Sequence, residues 1–395
     1  MNQSNNKPSL DLPLEGLVVL DFSQFLAGPS CALRLADLGA RVIKVERPQG
    51  GDLCRQLVVA DQRFGEDSAL FHTINRNKQS FAADLKDPHS LQQVKALIQQ
   101  ADVMIHNFRP GVMERIGLDS KTVLELNPRI VYGEITGYGD AGPWKDKPGQ
   151  DLLVQSLSGI AWLSGNANQG PVPMGISVVD QITGAHLTQG ILAALLRRER
   201  SNQGGVVTVS LLESAMDLQF EPFTAFLNSE QAQPTRSSVN HANVHTAAPY
   251  GIYQTADGYM ALAMAPLDQL AQLLDHKELG ERCTDHNTWY SDRDTYKALL
   301  RDHLITQPTA YWLARLEPSG IWCAPVYDWP TLIQHEGFQT LNAIQVIHHA
   351  DGTSMQTTRC PIRLDGQTLT SPSAGPQLGA DNDDILASLK ELPNG

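Results

Sequence analysis

Four cations stand out in an otherwise acidic chain: Arg47 and Arg109, each directly after a short apolar run, Lys78 in "NRNKQS", and Arg115 soon after. A guanidinium forms bidentate contacts with phosphate, so this spacing points to a phosphate-rich ligand. Basic residues are common on any surface, but these stand where strands end, and open α/β sheets bind ligands there. Two acids form a second group. Asp151, in "KPGQDLLVQ", and Asp180, in "GISVVDQITG", each suit a helix cap or first turn, which is a structural role. Between them lies "SGNANQGPVP" (Ser164–Pro173), an exposed loop by its Gly, Asn and Pro content, with no acid, base or thiol.

Other patterns carry less chemistry. "GYGDAG" (Gly137–Gly142) has the glycine spacing of a dinucleotide fingerprint, but "PWKDKPGQ" follows it where a helix should open. A loop over a ligand is the better reading. His348 and His349 are adjacent in a strand pattern and point to opposite faces, while Asp381, Asp383 and Asp384 suit the first turn of a closing helix. No metal site is expected. Nucleophile elbow, P-loop and H-E-x-x-H patterns are absent from the sequence.

The elements that position these residues alternate. "LVVLDF" (Leu17–Phe22) reads as a strand, "AGPSCALRLADLGA" as a helix, and "RVIKVE" (Arg41–Glu46) as the next strand, which is a βαβ unit with parallel strands. A helix follows Asp87 and Pro88 with Leu91, Val94, Leu97 and Ile98 on one face, then the strand "DVMIHN" (Asp102–Asn107). "SKTVLELNP" and "RIVYGEIT" repeat the pattern. Residues 15–136 are therefore expected to form a doubly wound α/β domain. A long helix runs to about Arg200. The polar stretch 228–245 reads as a linker, followed by hairpins turning at Asp257-Gly258 and Asp351-Gly352 and helices near 267–276 and 293–305.

Composition sets outer limits. A length of 395 residues implies two or three domains at roughly 150 residues each. The net charge of −13 argues against nucleic-acid and anionic-membrane partners, and a charged fraction of only 18% suits a chain that buries surface against another subunit. The opening "MNQSNNKPSLDLP" lacks the features of a signal peptide, no apolar run has membrane-spanning length, and the five scattered cysteines form no C-x-x-C pair. A cytoplasmic protein is expected.

The blocks "PLEGLVVLDFSQFLAGPSCALRLADLGARVIKVERPQGGD", "NRNKQSFAADLKDP", "ADVMIHNFRPGVMERIGL", "NPRIVYGEITGYGDAGP", "PGQDLLVQSLSG" and "ILAALLRRERSNQGG" occur in the order found in class III CoA-transferases. The chain resembles that family (the CaiB/BaiF group, including formyl-CoA and carnitine CoA-transferases, with α-methylacyl-CoA racemases as relatives). The resemblance implies a large Rossmann-like CoA-binding domain over 10–225, completed by 370–395. It further implies a linker at 226–245 and a smaller α/β domain with a return connection over 246–369. Two chains would form an interlocked homodimer. The resemblance implies no permanently held cofactor. It implies acyl-CoA and a small carboxylic acid as substrates, with CoA contacts at Leu26, Ala27, Arg47, Asn75, Lys78, Asn107, Phe108, Arg109, Arg115, Thr136, Gly137 and Tyr138.

In the family's chemistry an aspartate carboxylate attacks the acyl-CoA thioester, and a covalent aspartyl intermediate carries CoA to the acceptor acid. Aligned on "SLSGIAWLSGNANQGPVPMG", the position of that aspartate falls on Asn168, or on Gln169 or Gly170 in another register, so an amide stands where the acid is expected. The racemase relatives use a His before the acid of "PGQD", and Gln150 occupies that place here, while Asp151 and Asp180 match the acid positions. Three functions remain open: a CoA-transferase with its nucleophile position occupied by Asn168, a degenerate acyl-CoA-binding protein, and an acyl-CoA isomerase using Asp151 or Asp180.

Overall fold

The apolar runs of the first 136 residues become strands β1 (Val18–Asp21), β2 (Arg41–Glu46), β3 (Lys78–Ala82), β4 (Val103–His106) and β5 (Val131–Thr136) in a computed structural model that describes residues 12–57, 59 and 61–390. A sixth strand, β6 (Gly205–Ser210), joins them. Every ladder is parallel, and the order across the sheet is β3-β2-β1-β4-β5-β6. All four residues of β4 are buried, as in a parallel strand covered on both faces.

The covering helices begin where the sequence places their signals. Helix α1 (Ala27–Asp37) ends at Gly39, whose φ of +106° is open to glycine at low cost. Helix α2 (Pro88–Gln100) is capped by Asp87, which accepts from the Ser90 N–H at 2.8 Å, and buries Val94, Leu97 and Ile98. Helix α3 (Asp151–Leu157) and the long α4 (Val178–Ser201) follow β5. Asp151 opens α3, but its carboxylate caps α4 instead.

The described residues divide into two units. Those up to Val154, Ser177–Ser214 and those from Leu341 onward form one; Gln155–Ile176 and Ala215–Thr340 form the other. The polar stretch 226–245 lies inside the second unit, and 341–369 belongs with the sheet. The second unit holds an antiparallel sheet of β7 (Gly251–Gln254), β8 (Tyr259–Leu262) and β9 (Cys323–Pro325), with helices α5 (Leu267–Leu273) and α6 (Arg293–Leu304). Its core packs Tyr253, Met260, Leu270, Leu300, Trp312 and Leu316. Burying side chains of this size contributes roughly 1.5–3 kcal/mol each.

The second hairpin pairs Ile344–His348 with Ser354–Thr358 around Asp351-Gly352, and Ile347 packs with Phe64 and Ala374 in the first unit. Helix α7 (Asn382–Lys390) sends Ile385 into the same core as β1, β2 and β4. Just before it, Asp381 accepts from the Ser80 N–H, and the Asn382 amide both accepts from and donates to the Ala82 backbone, each near 2.8–3.0 Å. Asp381 thus pairs with the free edge of β3. Residues 10–11, 58, 60 and 391–395 of the expected spans lie outside the described residues.

Candidate active site

The carboxyl ends of β1, β2 and β4 open onto a cavity of about 220 Å³ lined by Phe22, Ser23, Gln24, Glu46, Arg47, Lys86 and Phe108, among others. The strand order reverses between β1 and β4, so the cavity sits at the sheet's switch point, where such sheets bind ligands.

Beneath it lies a layer of buried ion pairs. Lys78 Nζ donates to Asp21 Oδ2 (2.9 Å), the Pro29 carbonyl (3.0 Å) and Asn75 Oδ1 (2.8 Å), so all three ammonium hydrogens are engaged. Lys44 donates to the Ser23 carbonyl and pairs with Asp52, each at 2.8 Å. Arg55 makes two bonds to Glu46 and one to Asp67. Burial opposes charge on Asp21, but Lys78 and Lys44 outweigh it and hold the carboxyl below its ordinary range. Burial lowers the Lys78 pKa, with Asp21 acting against the shift.

The residues singled out by the sequence therefore sort into two groups. Arg47, Arg109 and Arg115 are exposed, and Arg47 spends only Nε on the Gly51 carbonyl. Lys78 and Asn75 are buried and bonded to protein groups. Asn107 binds both the N–H and the carbonyl of Gln24 at 2.8 Å and so fixes the β1–α1 turn; Phe108 lines the cavity. Leu26 precedes α1 and packs against Cys54, Phe71 and Ile74, and Ala27 is buried at the helix start. Thr136 accepts from the Gly139 N–H, and the Tyr138 hydroxyl donates to the Pro148 carbonyl. Sequence reasoning missed Lys86, although it follows β3 by four residues and the strand-end rule would have found it.

The same edge carries two carboxylates. Gly137, directly after β5, approaches Gly149 so closely that a Cβ on Gly137 would lie 2.9 Å from the Gly149 Cα, which brings the chain back to Asp151. Asp151 Oδ1 accepts from the N–H groups of Val179 (2.8 Å) and Asp180 (3.2 Å) at the start of α4. Helix α4 lies against α1 with only glycine able to fit at 184: a Cβ there would meet Ser30 Oγ at 2.1 Å and the Ala27 carbonyl at 2.6 Å. Asp180 is one helical turn earlier, at the N-terminal end of the contact. Burial, and then the neighbouring Asp151, push its carboxyl up to about 7.

Asn168 belongs to the second unit and is exposed. Its loop is held from below: the buried Arg236 donates to the carbonyls of Ser164, Gln169 and Gly170, the Ala167 N–H donates to the Ser237 carbonyl, and Asn166 accepts from the His241 N–H. These bonds fix the backbone of 164–170, and none uses the Asn168 side chain. Among the described residues no group of three His, Cys, Asp or Glu side chains could hold a metal ion, and no helix is long and apolar enough to cross a membrane.

A parallel sheet with a cavity at its strand ends and a perturbed carboxylate on the same edge makes this an α/β fold of the kind that binds ligands at its switch point. Residues 14–382 match the model of CoA-transferase family III, and the chain belongs to that family. It is 31% identical to the succinate–glutarate CoA-transferase of Agrobacterium fabrum, over 98% of this chain and 97% of that one. It is 34% identical to an acyl-CoA transferase of Fusarium pseudograminearum, over 82% and 72%. The crystal structure of a CaiB/BaiF family protein from Brucella suis superimposes with a TM-score of 0.80 at 29% identity, covering 95% of this chain and 99% of that one. The family's enzymes use CoA thioesters and carboxylic acids as substrates.

Proposed function

We propose that this chain transfers CoA between an acyl-CoA and a carboxylic acid through a covalent intermediate on Asp180. The observation that carries the reading is the Asp151–Asp180 pair at the start of α4, on the sheet edge that also holds the cavity. The Asp180 carboxylate attacks the thioester carbonyl carbon, the C–S bond breaks, and CoA leaves as thiolate. The thiolate then attacks the aspartyl carbonyl of the mixed anhydride and releases the donor acid. The acceptor carboxylate attacks the resulting aspartyl thioester, and the freed thiolate attacks the acceptor acyl carbon, regenerating Asp180. Peptide N–H groups at the start of α4 favour negative charge there. Arg47 and Lys86 serve the CoA phosphates at the cavity, and the exposed Arg109 and Arg115 follow and precede in sequence its lining residues Phe108 and Ile116.

In this reading Asn168 is a loop residue, and the amide there does not remove the nucleophile. The test is a trap. Incubation with an acyl-CoA and hydroxylamine, followed by tandem mass spectrometry, should give a hydroxamate on Asp180 and none in Asp180→Asn. An adduct within 164–173 would restore the Asn168 register and overturn the assignment.

The pKa near 7 also suits a general base, which supports a second reading as an acyl-CoA isomerase. Deuterium exchange at the acyl α-carbon without an acceptor acid separates the two. We further propose a homodimer in a reducing, cytoplasmic setting. Exposed Trp322, Trp329 and Met264 support self-association, and five free thiols support the compartment.

A further inference from the structure

The turn between β1 and α1 joins the two parts of the proposed site. Ser23 and Gln24 line the cavity, while Ala27 lies against α4 at Gly184, one helical turn past Asp180. Phe25 sits between them. A thioester arm running from the cavity to Asp180 would follow this turn.

Phe25 has a left-handed backbone, φ +63°, which non-glycine residues avoid and which tends to persist at ligand-binding positions. Polar groups hold the turn from behind. The Phe25 N–H donates to Asp52 Oδ1 at 3.3 Å, Asn107 clamps Gln24, and Lys44 holds the Ser23 carbonyl and pairs with Asp52. The strain does not serve burial. Leu26 packs inward, whereas the Phe25 residue stays 44% exposed, and Leu53, directly after Asp52, is 45% exposed.

We infer that Phe25 is a specificity-determining residue: its ring forms an apolar wall along the path of the thioester and favours alkyl acyl chains over acyl groups that end in a second carboxylate. The inference rests on the reading of Asp180 as the acyl-accepting carboxylate. An alkyl chain laid on Phe25 and Leu53 gains by leaving water. A second carboxylate placed there loses hydration, and the ammonium behind the turn, Lys44, is already committed to Ser23 and Asp52.

The experiment compares kcat/KM for hexanoyl-CoA and succinyl-CoA as donors to one acceptor acid in the full chain and in two variants. Asparagine tolerates the left-handed backbone, so Phe25→Asn removes the apolar ring without a new backbone penalty, and Phe25→Leu keeps an apolar side chain. The hexanoyl-to-succinyl ratio should fall about tenfold in Phe25→Asn, as expected for losing a good part of one apolar side-chain contact, and stay within about threefold in Phe25→Leu. An unchanged ratio, or equal losses with both donors, overturns the inference.

Titration calorimetry with CoA, hexanoyl-CoA and succinyl-CoA repeats the comparison without turnover in Asp180→Asn, with and without Phe25→Asn. A similar loss of hexanoyl preference supports the wall, and equal weakening of all three ligands rejects it. Continued transfer by Asp180→Asn would reject the nucleophile alone, with the Phe25 ratio still deciding the specificity role.

Discussion

Lys78 in the sheet unit and Arg236 in the second unit are almost equally buried, at 6% and 7% exposure, yet their charges are answered differently. Lys78 meets a carboxylate, Asp21, and two neutral oxygens, whereas Arg236 meets three backbone carbonyls and no acid. The first cation neutralises a charge that the sheet has already buried; the second fixes the course of a loop. Arg47, on the cavity rim, does neither. A positive charge near a crevice is therefore free to meet a ligand only when its own chain leaves it unspent.

Variants can break this comparison. Lys78→Met leaves Asp21 buried without its partner and should lower unfolding free energy by about 3–5 kcal/mol in denaturant titrations. Arg236→Met strands carbonyls near the surface rather than a charge. It should cost about 2 kcal/mol and increase proteolytic cleavage within 164–173. Equal losses from the two variants would erase the distinction drawn between them.

Arg47→Ala should change stability by less than about 0.5 kcal/mol while weakening acyl-CoA binding roughly tenfold at low salt. The difference should shrink as salt rises, which calorimetry at two ionic strengths would read. The smallest effect concerns the carboxylate pair. In the proposed mechanism Asp180 reacts as the anion, so transfer should rise with pH through about 7. Asp151→Asn removes the second cause of the raised pKa and leaves burial, so the rise should move to lower pH by about one unit. A shift to higher pH, or none, would show that Asp151 does not act on Asp180 through its charge.

The alternating strands and helices were legible because each carries its own local signal, such as the Asp87-Pro88 start and the Gly39 stop. The strand-end position of Arg47 and Phe108 followed from the same pattern. The fate of Lys78 was not legible, since Asp21 lies 57 residues away and only the β1–β2–β3 register brings them together. Lys44 was hidden in "RVIKVE", where a strand pattern gives no sign that its ammonium will meet Asp52. Asp180 reads locally as an ordinary first-turn acid. Its raised pKa depends on burial and on a carboxylate 29 residues earlier, which Gly137 and Gly149 bring back to the sheet.

The bonds from Asp381 and Asn382 to β3 also bear on how the sheet avoids pairing with other chains. An outer strand with unpaired N–H and carbonyl groups is a template for another chain, and here two side chains occupy it in place of a seventh strand. The C-terminal segment thus works as a guard against intermolecular β-pairing. A chain shortened before Gly379 would offer that edge to its neighbours, so its aggregation rate should climb more steeply with protein concentration than that of the full chain.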